Sequence, residues 1–309
     1  GFSFIHKSFG EYLAGRAVFR TALYLVDRLS GDDEPVDAAG KWAELFALAP
    51  LTHPILRFLT DEARRIEISD GMRGAVDALT DVFNHTLRNG FPMDVMSTPD
   101  VRYRDLEDRQ SNAESTLVST LSVLAQAIPL PKGQKGVTNA QRVVPNWDTQ
   151  HSVANLFGRI QPHGQWGAPL ACARFDFSNT EMSGVNVHEI KFDGCTFENS
   201  DLGNAFFSGC SFVDGNFRNT NVSSSYLVAC DYSNVDFEGA SVAFADLRDE
   251  ELADINLSGA LTISTLLEGA DLRTAQGITE AQLSDSSGNQ RTQLPDYIDT
   301  SKIPWIEKG

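Results

Sequence analysis

Residues 195–219 read CTFEN-SDLGN-AFFSG-CSFVD-GNFRN, and the third residue of each block of five is Phe197, Leu202, Phe207, Phe212 and Phe217. Extending this column in both directions gives a series that begins Phe177, Met182, Val187, Phe192 and ends Thr262, Leu267, Leu272. Nineteen of its twenty positions are apolar or aromatic, against 41% of the whole chain. A second column, two residues earlier, is mostly small: Cys195, Ser200, Ala205, Cys210, Gly215, Thr220, Ser225, Cys230, Ala240, Ala245 and Ala270. The remaining positions are largely Asp, Asn, Ser, Gly, Glu or Arg.

Neither a helix, with period 3.6, nor a strand, with period 2, produces this pattern. Two inward and three outward positions in every five describe a chain that turns a corner every five residues. Four such sides close a square coil of twenty residues, and successive coils stack at the sheet spacing of ~4.8 Å. A narrow interior demands a small residue beside each large one, and Asn, Asp, Ser and Gly suit the corners. Stacking at this spacing sets Phe177, Phe197, Phe217, Phe237 and Leu257 in one ladder, and Phe192, Phe212, Tyr232, Leu252 and Leu272 in another.

The blocks ADLRD at 245–249, SDLGN at 200–204, VDFEG at 235–239 and ADLRT at 270–274 resemble the A(D/N)LXX motif of pentapeptide-repeat proteins. The resemblance implies a right-handed quadrilateral β-helix, built here of about five coils. The expected organisation is an α-helical region over 1–165, the β-solenoid over 166–275, and a capping helix and tail over 276–309. Solenoids need covered ends. Thr279 reads as the N-cap of the capping helix, and the tail that follows resembles the end of many family members, so the natural C-terminus is expected here or nearly so.

Residues 7–165 carry helical periodicity. The apolar positions Phe9, Tyr12, Leu13, Phe19, Leu23 and Val26 predict a helix over 8–27. Shorter ones are predicted over 42–48, over 53–67 behind Thr52, and from Ser69 to Asn89-Gly90. A long helix is predicted over 106–127, then a linker or mobile loop over 129–146, then a helix capped by Asn146 and running to Ile160 that covers the first coil.

The opening FSFIHKSFGEYLAG, residues 2–15, resembles the segment ending the winged-helix module of NACHT-type STAND nucleotidases, a group of bacterial defence ATPases and animal NOD-like receptors. The resemblance rests on Phe4, His6, Ser8, Phe9, Glu11, Tyr12 and Leu13, with Gly10 where the family usually has Gln. It implies that His6 contacts the diphosphate of ADP in an intact parent, and that a nucleotide-binding module lies upstream. No Gly-x-x-x-x-Gly-Lys-Ser/Thr loop occurs in the chain. This chain is therefore expected to bind no cofactor and to be no enzyme in itself.

Charge narrows the partner. The formal net charge is −17. Residues 170–275 hold 5 Lys/Arg and 17 Asp/Glu. Such acidity excludes direct binding to nucleic acid, which takes a basic stripe. Asp246, Asp249, Glu250, Glu251 and Asp254 crowd one stretch and are expected on the coil exterior, as the candidate contact for a basic protein partner. No apolar run approaches the ~20 residues of a membrane helix, and no signal sequence opens the chain. The chain reads as cytoplasmic. The six histidines lack metal-ligand spacing. Cys172, Cys195, Cys210 and Cys230 form no CxxC pair and are expected as free thiols. Two function classes follow. One is a non-catalytic interaction or sensor region of a STAND protein. The other is a DNA-mimicking solenoid that occupies a topoisomerase such as gyrase.

Overall fold

The computed structural model describes residues 7–65, 71–97, 101–130, 137–147, 152–160, 170–252 and 254–306. His6 and Ser69 lie outside the described residues. The chain forms two compact units, one of residues 1–147 and 159–175, the other of 148–158 and 176–309.

The first unit is helical: α1 (Lys7–Leu29), α2 (Pro35–Phe46), α3 (His53–Arg65), α4 (Gly71–Asn89), α5 (Met93–Met96) and α6 (Tyr103–Ala127). Met72, Val76, Leu79 and Phe83 of α4 are buried, as their spacing predicts. On α6, Leu117, Leu121 and Leu124 are buried together with Ser119, Thr120 and Ser122. Helices α1 and α3 approach closely at Gly15, where a Cβ would stand 2.8 Å from the carbonyl oxygen of Ile55. Trp42 pins α2 to α6 by donating its buried indole N–H to the Ala113 carbonyl at 3.0 Å.

Four expectations need correction. Helix α2 begins at Pro35, not Trp42, because proline at a first helical position has no N–H to leave unpaired. Thr52 precedes α3, but its buried hydroxyl has no partner among the described residues and does not cap the helix. The described part of the expected linker is built into the unit. Arg73 Nη1 donates to the carbonyls of Asn139, Ala140 and Arg142 at 3.1, 3.1 and 2.9 Å, and the Val143 N–H donates to the Arg174 carbonyl at 2.9 Å. The Asn146 N–H donates to Asn84 Oδ1 at 2.7 Å, and helix α7 (Ser152–Ile160) starts six residues beyond Asn146.

In the second unit all twenty positions of the five-residue column are buried, the most exposed being Leu247 at 5%. Parallel pairing joins residues twenty apart: strands β1 (Asn186–His188), β2 (Phe206–Ser208) and β3 (Tyr226–Val228) form one ladder, and isolated bridges such as Asp176 with Thr196 and Ser211 with Asp231 continue the pattern on other sides. The aromatic ladders stack, with Phe192–Phe212 centroids 5.4 Å apart and Phe177–Phe197 centroids 5.2 Å apart. Phe157 of α7 covers this end, its ring 6.2 Å from Phe177 and 5.7 Å from Phe192.

Backbone chemistry explains the remaining positions. Every fifth residue from Asn179 to Gly269 has a φ between 54° and 78°. Glycine reaches that region freely and Asn or Asp visit it most readily among the others, so most corners carry them, with Glu189, Ser224, Ala229, Phe244 and Ser264 as the exceptions. The D/N position closes the corner from the side chain: the carboxylate or amide oxygen accepts from the backbone N–H two residues on, as at Asp201 to Gly203 (2.8 Å), Asn216 to Arg218 (3.0 Å) and Asp236 to Glu238 (3.0 Å). At the small inward position, the hydroxyls of Ser200 and Thr220 donate to carbonyls of the preceding coil, those of Phe177 and Phe197, each at 2.6 Å. Thr279 caps α8 (Glu280–Ser284) by accepting from the Gln282 N–H at 3.3 Å.

Two outcomes follow from this packing. Phe212 stacks against rings on both neighbouring coils, so Phe212→Ala should cost about 3–5 kcal/mol. Outward Ser233→Ala should stay within about 0.5 kcal/mol. Urea denaturation measures both, and a near-neutral Phe212→Ala contradicts the inward column. All four cysteines are buried free thiols, and the Cys210 thiol, hydrogen-bonded to Cys230 and buried, is pushed far above the usual range. Alkylation after unfolding without reductant should label four cysteines, and two fewer would mean a disulfide.

Candidate functional site

Because the solenoid interior is filled, any contact with another molecule falls on outward positions. One outward column runs Asn186, Phe206, Tyr226, Asp246, Leu266, each residue paired with the next coil. Tilted rings adjoin along this side, His188 and Phe206 with centroids 5.6 Å apart and Phe206 and Tyr226 6.4 Å apart. Tyr226 and Val228 are exposed, as are Phe244, Leu261 and Ile263 on the adjoining side.

The acidic residues singled out by the sequence do not share one face. Asp246, Asp249 and Glu250 line a groove of about 490 Å³ with Leu227, Val228, Arg248, Glu268 and Arg291. Glu251 belongs to the next side of the coil, where it pairs with Asp271, and Asp254 is exposed at that side's corner. Five residues bring a corner, so acids consecutive in sequence separate around it.

Glu250 requires a correction. It is 8% exposed. Its position is that of Cys210, Cys230 and Ala270, one coil apart in the small inward column, and not the exterior. Its carboxylate accepts from the backbone N–H groups of Ala229 at 2.7 Å and Cys230 at 3.2 Å. Burial pushes its carboxyl above the usual range, the two amide bonds opposing the shift.

Arginines offset much of the groove's charge. Arg248 Nη2 lies 2.6 Å from Asp246 Oδ2, and this hydrogen-bonded pairing holds the Asp246 carboxyl below its usual range. Arg291 Nη1 lies 3.0 Å from Asp249 Oδ1. A similar pair, Arg273 with Asp271 at 2.6 Å, sits on the neighbouring side. Arg248 and Glu268 could have been added from the twenty-residue spacing. Arg291 could not, since it arrives from the C-terminal segment 42 residues after its partner. Among the described residues no group of three or more His, Cys, Asp or Glu is arranged to hold a metal ion. No described helix is long and apolar enough to cross a membrane.

Residues 190–227 match the family model for pentapeptide repeats, in eight copies. Among solved structures, the chain is similar to trypsin-treated QnrB1, a plasmid-mediated fluoroquinolone resistance protein, at 18% identity and TM-score 0.32, covering 45% of this chain and 89% of that one. It is also similar to HetL, a pentapeptide-repeat protein of heterocyst differentiation from the cyanobacterium Nostoc sp. strain PCC 7120, at 17% identity and TM-score 0.27, covering 44% and 76%. No curated protein sequence matches the chain. With the family model falling on the buried five-residue column and its twenty-residue pairing, the chain carries a pentapeptide-repeat domain.

Proposed function

We propose that this chain is a non-catalytic interaction and sensor region of a bacterial STAND signalling protein, with the pentapeptide-repeat solenoid, coiled right-handed, as its recognition surface. The observation that carries the recognition role is the burial of all twenty inward positions, which leaves only outward side chains for contact. The STAND assignment rests on residues 2–15, with His6 as the ADP phosphate contact and the nucleotide-binding module upstream. A partner would act by binding one state of the parent more tightly than another, which is the only way a ligand shifts such an equilibrium. The exposed acids Asp249, Glu251 and Asp254 favour a basic protein partner in the cytoplasm.

A second reading draws on the acidity alone, with 17 Asp/Glu against 5 Lys/Arg over residues 170–275. In it the solenoid mimics DNA and occupies a topoisomerase. The two separate in a supercoiling assay. With DNA gyrase, the sensor reading expects no inhibition by the chain. Inhibition that disappears on reversing Asp249, Glu251 and Asp254 to Lys would decide for the mimic, and it should weaken with salt because exposed charges are screened over ~10 Å at 0.1 M. Calorimetry with ATP and Mg²⁺ should show no micromolar binding, and such binding would remove the upstream-module assignment.

A further inference from the structure

The backbone ladder has an irregular step at Glu250. Most corner N–H groups donate to a backbone carbonyl of the following coil, as Gly209 does to Val228 at 3.0 Å and Asp249 to Glu268 at 3.0 Å, while those of Asp254 and Gly269 donate to the uncharged hydroxyls of Thr274 and Thr292. The equivalent N–H of Ala229 instead goes to Glu250 Oε1 at 2.7 Å, and the Cys230 N–H goes to Oε2 of the same carboxylate. The steps before and after are regular: Phe212 donates to Asp231 at 2.8 Å, and Leu252 to Asp271 at 3.0 Å. Among the described residues, no corresponding bond joins the Tyr232 N–H to Glu251 or the Glu251 N–H to Cys230, and the bridge series Ser211–Asp231 and Glu251–Asp271 has no Asp231–Glu251 member. A long acidic side chain stands where the same side of the other coils holds the uncharged Ile190, Cys210, Cys230 and Ala270.

We propose that Glu250 makes this coil boundary a charge-controlled seam: its ionised carboxylate keeps the local ladder open by occupying the Ala229 and Cys230 amides, and loss of the charge lets the two coils close. A residue that breaks a local packing rule, without an evident gain in stability, is where a fold keeps a functional device. The seam also lies under the groove lined by Leu227, Val228, Arg248 and Arg291, so its closure reaches the outer surface. The ionisable groups facing Glu250 are Cys230 and Tyr232 from the preceding coil, with Cys210 beyond Cys230, and Asp246, Arg248 and Asp249 from its own. Glu268 and Arg291 face it from the following coil and the C-terminal segment. Asp246 and Asp249 add to the burial that disfavours the charge.

The sign is fixed by linkage. The folded chain holds the proton more tightly than the unfolded one, whose value is 4.5. Glu250 therefore contributes most stability below that pH and loses it as pH rises through its raised folded value. Thermal unfolding of wild type, Glu250→Gln and Glu250→Ala from pH 4 to 8 tests this, because carboxylates remote from Glu250 titrate alike in all three and cancel in the differences. At pH 8 both variants should melt above wild type, and the Gln variant should converge on it as pH falls. Amide protection of Tyr232 and Glu251, measured by hydrogen exchange at pH 8, should rise about tenfold in Glu250→Ala, the effect of roughly one net hydrogen bond. Variants melting below wild type would make Glu250 a structural cap and overturn the proposal. So would a pH-independent difference, or unchanged protection at those amides.

Discussion

Backbone hydrogen bonds between consecutive coils carry the solenoid, and their geometry decides nearly every other choice in its sequence. For the N–H and C=O groups to point along the stack, the chain must turn within five residues, and each turn needs one residue with a positive φ. That residue recurs from Asn179 to Gly269 without a gap. The cost falls on the few corners that are neither glycine nor Asn or Asp. Phe244 holds φ 59° with its ring exposed, a conformation costing roughly 1–2 kcal/mol in an L-residue. The interior then has room for one large and one small side chain per side. Aromatic ladders follow because identical positions stack at the coil spacing, not because rings are needed there.

Much of this was readable in advance. The inward column is a one-dimensional signal, and burial of Phe197, Phe217 and Leu247 follows from counting by five. The helix faces of α4 and α6 are legible for the same reason. On the solenoid, position outweighs residue type. Glu250 resembles a surface acid because it stands between Asp249 and Glu251, yet counting by five from Cys195 through Cys230 and Ala245 places it inside. Neighbouring acids likewise looked like one patch until the corner sent Glu251 to another side. Other features were not legible at all. Arg73 gathering three carbonyls depends on residues 66 or more apart, and Arg291 reaches Asp249 only after the register changes.

That register change marks how the stack ends. Pairing by twenty holds through Asn256 with Gln276, then lengthens to Leu266 with Ser287 and Asp271 with Gln293. The extra residues make room for α8, whose Gln282 side chain donates to the carbonyls of Leu257 and Ala260 at 3.0 and 2.9 Å. Trp305 folds back, donating to the Leu283 carbonyl at 3.0 Å. At the other end Phe157 supplies the ring that a preceding coil would have supplied. Both ends thus present side chains where an open ladder would invite another strand.

The twenty-residue pairing also says how such a chain can change over generations. Duplicating or removing sixty nucleotides in frame adds or subtracts one whole coil, about 4.8 Å of height, and leaves every inward column, corner and Asx turn in phase. An in-frame change of one codon does the opposite, because it turns every later large residue toward solvent at once. Length is therefore the variable this fold can alter most freely. A recognition surface built on it can be extended or shortened to match the span of its partner without redesigning a single coil.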